Sequence, residues 1–172
     1  QGSMDSGASY VNAGYLTPSH IIPLAAPGVM EQGIKWMFSS KSPLYIKPRL
    51  NADFLKWTMA FNNSCSEKNV SKAIPAIRDI NLLSRDLYSD IREEEHFNFQ
   101  LKKDGLLMLC KTEHMLEEEA HVLALANKEG LPARMLSAEE VQQKMPNAKL
   151  DIKGAAFYEC DHHTTPGEFM EE

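Results

Sequence analysis

Apolar residues recur at steps of three and four between residues 70 and 91, and this periodicity constrains the fold more than any other feature of the sequence. The apolar members are Val70, Ile74, Ile77, Ile80, Leu83, Leu87 and Ile91. Charged residues lie between them, so the run predicts a long amphipathic helix that packs through one face. Pro75 lies inside the run, where it is expected either to kink the helix or to mark its first turn.

The periodicity changes after His96, because residues 97–103 (FNFQLKK) alternate between apolar and polar side chains. The dipeptide Asp104-Gly105 is typical of a hairpin turn, and the apolar segment 106–111 follows it. The sequence therefore predicts an antiparallel hairpin of two consecutive strands.

Helix and strand signals flank this predicted hairpin. An apolar stripe predicts a helix over 53–62, and a second helix is predicted from Thr112 to about Lys128, with Gly130 as its stop. Residues 137–146 carry a capping box and a terminating proline, and residues 153–160 (KGAAFYEC) have the composition of a strand. Together these elements predict an α+β fold in which helices pack against an antiparallel sheet.

Charge and cysteine content exclude several classes of protein. The 172-residue chain has a formal net charge of −6; residues 1–60 hold five Lys/Arg and three Asp/Glu, whereas residues 61–172 hold thirteen and twenty-one. Nucleic acid is not an expected partner, because phosphate binding depends on clustered cations. The three cysteines are odd in number and widely spaced, which favours a reducing compartment over a disulfide framework. With no apolar run of the roughly 20 residues that a membrane span needs, we expect a cytoplasmic protein.

Residues 7–20 (GASYVNAGYLTPSH) form a loop rich in small residues near the start of the chain. Such a loop lets backbone amides approach a ligand closely, with the Ser9 hydroxyl and the Asn12 amide as further hydrogen-bonding groups. Composition alone equally describes a plain turn. The sequence has no G-x-G-x-x-G, G-x-x-x-x-G-K-[ST] or G-x-S-x-G motif, so a nucleotide cofactor would need phosphate-binding residues from outside this chain.

Residues 160–163 (Cys-Asp-His-His) are the most conspicuous cluster of potential metal ligands. Adjacent side chains on a strand point to opposite faces, so four consecutive residues cannot surround one ion. We therefore predict no metal site, and interpret the segment as a polar loop in which a capping Asp161 and a hydroxyl before Pro166 lead into a helix over 166–172.

Five segments, taken in chain order, resemble the glycine-oxidase-like branch of the D-amino-acid oxidase superfamily, and bacterial D-amino-acid dehydrogenases in particular. They are 7–29 (GASYVNAGYLTPSHIIPLAAPGV), 34–50 (IKWMFSSKSPLYIKPRL), 54–61 (FLKWTMAF), 97–114 (FNFQLKKDGLLMLCKTEH) and 153–169 (KGAAFYECDHHTTPGEF). The resemblance covers nearly the whole chain, and the combination of segments is more specific than any one of them.

This resemblance implies an FAD-dependent oxidoreductase that deaminates amino acids, D-amino acids in particular, by hydride transfer to the flavin. It implies that the opening loop lies along the flavin, through Ala8, Ser9, Asn12, Ala13 and Gly14. It assigns no catalytic side chain, and the candidates to face the amino-acid substrate are His20, Tyr45 and His163. The chain would be the substrate or cap domain of this flavoenzyme.

The family's glycine fingerprint and its substrate-carboxylate clamp have no counterpart in the sequence, so the resemblance also implies a chain truncated at both ends. Residues 1–30 are then a remnant of the FAD-binding domain, 31–160 the cap domain, and 161–172 the start of the crossing back. By itself the chain is expected to be inactive and to bind flavin weakly or not at all. The remainder of its own FAD-binding domain is therefore an expected partner.

Alternatives stay open on sequence grounds. The chain could be a non-catalytic interaction domain with the cap fold, or part of an oxidase of glycine, sarcosine or proline from the same superfamily. Residues 34–50 mix aromatic side chains with cations. They could form a peripheral anchor on the inner face of the membrane, or their apolar residues could pack on the flavin domain with the cations as a solvated rim. Homo-oligomerisation is equally open.

Overall fold

A computed structural model describes residues 7–29, 31, 33, 49 and 51–172 of the chain. Contacts divide the chain into two units, one formed by residues 1–20 and 78–172 and the other by residues 21–77. Each unit is described by itself.

The unit of residues 21–77 contains helix α1 (Ala52–Ser64) and the first part of helix α2 (Glu67–Glu94). Asn51 caps α1 by accepting a hydrogen bond from the Phe54 amide at 2.8 Å. The α1 helix confirms the predicted helix over 53–62. Since α2 begins upstream of Pro75 and continues through it, the expectation that Pro75 marks the first turn is wrong.

The other unit contains two antiparallel sheets of three strands each. One has the order β1 (Tyr15–Leu16), β6 (His162–Thr164) and β2 (Leu101–Lys102). The second has the order β3 (Leu106–Cys110), β5 (Gly154–Tyr158) and β4 (Ala133–Ser137). The α+β fold class is confirmed.

The predicted hairpin is wrong, because β2 and β3 belong to different sheets. Gly105 adopts φ +80° between them, so the Asp104-Gly105 turn is present. A Cβ at Gly105 would lie 2.5 Å from the Phe157 ring, so the turn packs against β5 instead of closing a ladder between its own flanking strands. The turn signal therefore marked a change of direction and not a pairing.

Two helices cover opposite faces of the β3-β5-β4 sheet. Helix α3 (Glu113–Lys128) is capped by Thr112 and packs near Gly154, whereas helix α4 (Ala138–Lys144) has the predicted capping box and packs through buried Val141 against Ala155. Even- and odd-numbered residues of β5 point to opposite faces, which separates the two helices. Short helix α5 (Pro166–Glu171) follows β6.

Candidate functional site

The β1-β6-β2 sheet brings the opening loop to the end of the chain. Tyr15 pairs with His163 and Leu16 with His162 on one side of β6, and Leu101 pairs with Thr164 on the other. These strands are only two or three residues long, so the pairing depends on the contacts at their ends.

Gly14 is the point of closest approach between the loop and β6. Its carbonyl accepts a hydrogen bond from the Thr164 amide at 2.8 Å, and its φ of +67° lies in the left-handed region. A Cβ at this position would overlap the Thr164 carbonyl oxygen. Only glycine fits both the conformation and the space.

The loop before Gly14 is held in shape by the Asn12 side chain. Its amide nitrogen donates to the carbonyls of Ala8 at 3.1 Å and Ser9 at 3.0 Å. Its amide oxygen accepts from the Gly14 backbone at 2.7 Å. Asn12 therefore shapes the loop, in which residues 7–9 and 11–13 are exposed and Gly14 is buried.

A concave pocket of about 270 Å³ opens beside this loop. Its lining combines the loop and β1 with helix α2, the end of β6 and helix α5, namely Ser9, Asn12, Gly14, Tyr15, Leu16, Tyr88, Thr164, Pro166, Phe169 and Met170. None of these lining side chains is charged. Tyr88 and Phe169 form one wall with ring centroids 4.6 Å apart, and Phe99 packs edge-on against Phe169 at 5.1 Å.

The pocket fits part of a flavin. Ligand pockets usually exceed about 300 Å³, so this one has room for a ring or a ribityl segment and not for a whole dinucleotide. An uncharged, partly aromatic lining suits a flat neutral ring, and Gly14 lets the loop pack tightly against Thr164 beside the pocket. A substrate carboxylate would need a cation from elsewhere.

Asp161 ties the segment after the loop to the turn before β6. The Asp161 side chain is fully buried and accepts hydrogen bonds from the Ser19 amide at 3.0 Å and the Ser19 hydroxyl at 2.5 Å. The expectation that Asp161 caps the last helix is wrong. Thr165 is the N-cap of α5, without a side-chain cap bond, and the carboxylate of Asp161 is directed at Ser19 instead.

The neighbours of Asp161 are kept neutral by burial. Desolvation, together with the Asp161 charge, raises the pKa of the Cys160 thiol to about 12. Burial and the cations Arg85 and Lys103 lower the pKa of His162, outweighing the opposite effects of Asp86 and Asp161. The Nδ1 of His162 is buried without a partner among the described atoms. In the described ranges, no three His, Cys, Asp or Glu side chains come together as a metal-ion site.

The residues predicted from the sequence fall into three groups. Ser9, Asn12 and Gly14 line the pocket, and Ala8 and Ala13 are exposed beside it in the same loop. His20 and His163 are exposed and do not line the pocket, so their substrate contacts stay predictions. Tyr45 and most of the 34–50 segment lie outside the described residues. No helix in the described part of the chain has the length and apolarity to cross a bilayer.

Sequence reasoning missed Tyr88, Phe169 and the true role of Asp161. Tyr88 belongs to the periodic helix and Phe169 to the last segment, and only the tertiary fold joins them. A signal for Asp161 existed in its place directly after the predicted strand 153–160, where a carboxylate taken out of water needs donors.

Comparisons with known proteins agree with the resemblance seen in the sequence. A family model described as "DAO: FAD dependent oxidoreductase" matches residues 1–172. D-amino acid dehydrogenase of Helicobacter pylori (strain ATCC 700392 / 26695) is 29% identical over 165 residues, which is 96% of this chain and 39% of that protein. D-amino acid dehydrogenase of Cereibacter sphaeroides (strain ATCC 17029 / ATH 2.4.9) is 28% identical over 131 residues, 76% of this chain and 30% of that protein.

Among solved structures, glycine oxidase from Geobacillus kaustophilus superposes with a TM-score of 0.59 at 19% identity, covering 99% of this chain and 34% of that one. At this identity the likeness concerns the fold alone. The chain spans at most about two fifths of the length of these relatives.

Proposed function

Because this chain belongs to the family of FAD-dependent oxidoreductases, we propose that it is part of a longer protein that oxidises D-amino acids at the Cα–N bond. The substrate loses a hydride from Cα and a proton from its amino group, and water hydrolyses the imino acid to a keto acid and ammonia. When bound, FAD supplies the acceptor for the two electrons removed.

One observation of the structure supports this proposal above the others. Ser9, Asn12 and Gly14 line one uncharged pocket, and they are three of the five residues for which the family resemblance implies flavin contact. The chain's contribution is then to position the flavin ring against its loop and to keep water away from that side. Tyr88 and Phe169 would provide the apolar wall for this exclusion.

The assignment to D-amino acids rests on the relatives. The two D-amino acid dehydrogenases match with 28–29% identity, and one of these matches covers 96% of the chain. Glycine is the competing substrate, on the weaker ground of a shared fold. The substrate carboxylate requires a cation, and the pocket lining has none, so the clamp is expected in the remaining part of the protein.

We also propose that residues 1–30 and 161–172 belong with the flavin-binding part of the protein, and that residues 31–160 form the cap. The pairing of β1 with β6 supports this division, as does the hydrogen bond from the Tyr10 hydroxyl to Glu171 at 2.5 Å. Both contacts join the opening segment to the closing one.

The test uses the natural full-length protein and its visible absorbance. A flavin spectrum that bleaches under anaerobic addition of D-amino acids, but not of L-amino acids or glycine, is the expected result. A yellow protein bleached only by glycine would replace the proposed substrate. A colourless protein would overturn the flavoenzyme proposal and favour the interaction-domain alternative.

A further inference from the structure

Asp161 is the only fully buried acidic residue in the described part of the chain, and its carboxylate is directed at the segment that follows the pocket loop. An ionised side chain taken out of water is costly unless donors surround it. Three donors face this one: the Ser19 amide at 3.0 Å, the Ser19 hydroxyl at 2.5 Å and the Cys160 thiol at 3.5 Å. The site is therefore built around the carboxylate.

The bonds to Ser19 complete a row of contacts between residues 14–19 and 161–164. At one end the Thr164 amide donates to the Gly14 carbonyl at 2.8 Å, in the middle β1 pairs with β6, and at the other end Ser19 donates to Asp161. Because β1 has only two residues, its ladder alone is a weak attachment. The contacts at Gly14 and Asp161 fix its two ends.

The turn that carries Asp161 is itself anchored from helix α2. Arg85 donates through Nη1 to the Cys160 carbonyl at 3.2 Å while its other nitrogens engage Asp86. The Asp161 amide contacts the Tyr158 carbonyl at 3.5 Å at the end of β5. Asp161 thus connects the opening segment to the well-packed β5 strand, through its bonds to Ser19 on one side and to the Tyr158 carbonyl on the other.

From this arrangement we infer that Asp161 is a positioning residue for flavin binding: through Ser19 it holds the Gly14 loop in the conformation that the cofactor requires. The inference rests on the proposed function. Asp161 does not line the pocket, so it acts on the cofactor only through the segment it holds. Loss of the Asp161–Ser19 bonds, the tether, lowers the fraction of molecules whose Gly14 loop is in the flavin-binding conformation. The apparent flavin affinity falls by that fraction.

Tyr158 offers a matched control three residues away. Tyr158 is 2% exposed, and its hydroxyl donates to the Glu119 carboxylate at 2.6 Å. Like the Ser19–Asp161 pair, this pair joins a buried hydroxyl to a carboxylate. That bond joins β5 to helix α3 in the other sheet, and its removal leaves the Tyr158 carbonyl, which accepts from the Asp161 amide, in place. A general loss of stability would follow from either change, but a loss of flavin affinity only from the Asp161 change.

The experiment titrates FAD into the flavin-free full-length protein carrying Asp161→Asn, Ser19→Ala or Tyr158→Phe, with thermal unfolding of each. For Asp161→Asn the FAD dissociation constant is expected to rise about tenfold, and for Ser19→Ala about threefold, since the Ser19 amide bond remains. The double variant is expected to be no weaker than Asp161→Asn alone, because both changes remove one tether. For Tyr158→Phe the dissociation constant is expected to stay at the wild-type value while the melting temperature falls.

Two results would overturn the inference. If Asp161→Asn and Tyr158→Phe lower the melting temperature alike and both leave FAD binding unchanged, Asp161 is structural only, and the proposed function survives. If the wild-type protein binds no FAD, the proposed function fails, and the positioning role with it. If Asp161→Asn does not fold, the milder change Ser19→Ala takes its place. Its FAD affinity and melting temperature are then compared with those of Tyr158→Phe.

Discussion

The two sheets of this protein are stabilised in different ways. The β3-β5-β4 sheet has five-residue strands, a helix on each face and an apolar cluster around Leu136, Val141 and Ala155. The β1-β6-β2 sheet has strands of two or three residues, no helix of eight or more residues within the described ranges is packed extensively on it, and polar contacts at Gly14, Asp161 and Thr164 join its β1 end to β6. The sheet that carries the pocket is therefore the one with less apolar packing.

This difference indicates a division of work: the β3-β5-β4 sheet supplies most of the stability, and the β1-β6-β2 sheet shapes the pocket. The β3-β5-β4 sheet draws its stability from area burial, which tolerates modest changes at many places. The β1-β6-β2 sheet depends on geometry at a few atoms, so single substitutions there are expected to alter ligand binding as well as stability. Flexible, contact-dependent segments are common at binding sites for this reason.

The largest loss of stability is expected from Gly14→Ala, next to the β1-β6-β2 sheet. The left-handed conformation and the overlap with the Thr164 carbonyl are expected to cost on the order of 4 kcal/mol together. Gly130→Ala is the matched control, since Gly130 has φ +79° but open space around a Cβ, and about 1 kcal/mol is expected from strain alone. Urea unfolding of both variants measures the difference, and equal losses would show that the close approach to Thr164 has no energetic role.

The next largest effect is expected from Leu136→Ala in the apolar cluster. Leu136 is 3% exposed, and truncating it is expected to lower the free energy of unfolding by about 3 kcal/mol. The pocket lies in the other sheet, so FAD affinity of the folded variant is expected to stay at the wild-type value. Chemical denaturation and FAD titration together test this, and a parallel loss of affinity would contradict the division of work.

A smaller effect is expected from pH. The pKa of His162 is lowered from its ordinary value of 6.5 in the folded state, so below about pH 6.5 the unfolded chain binds more protons than the folded one. Stability is then expected to fall as pH decreases through that region. His162→Gln should reduce the pH dependence of stability, measured as the difference in melting temperature between about pH 7.5 and about pH 5.5. An unchanged slope would mean that other groups dominate.

The sequence predicted the β3-β5-β4 sheet better than the other because its signals are local. The capping box at Ser137, the stop at Gly130 and the composition of β5 each depend on a few consecutive residues. Strand β4 was missed because its five residues, from Ala133 to the helix cap Ser137, show no clear alternation. The hairpin prediction failed because it also relied on a local signal, and a turn dipeptide does not determine which strands pair.

The pocket could be predicted only in part. Ser9, Asn12 and Gly14 lie in one loop, and the family resemblance, not composition alone, singled them out for flavin contact, whereas Tyr88 and Phe169 meet only in the folded chain. Pairing of β1 with β6 joins residues about 150 positions apart through strands of two and three residues, which leave no periodic signal. The role of Asp161 depends on that pairing and was out of reach for the same reason.

Amide hydrogen exchange of the full-length protein, with and without FAD, tests the central claim most directly. If the loop faces the flavin, FAD is expected to protect the amides of residues 8–16 and the adjoining residues 161–165, and to leave those of residues 133–141 unchanged. Protection that spares residues 8–16 in a protein that binds FAD would contradict the account, because the cofactor would then occupy a surface other than the Gly14 loop.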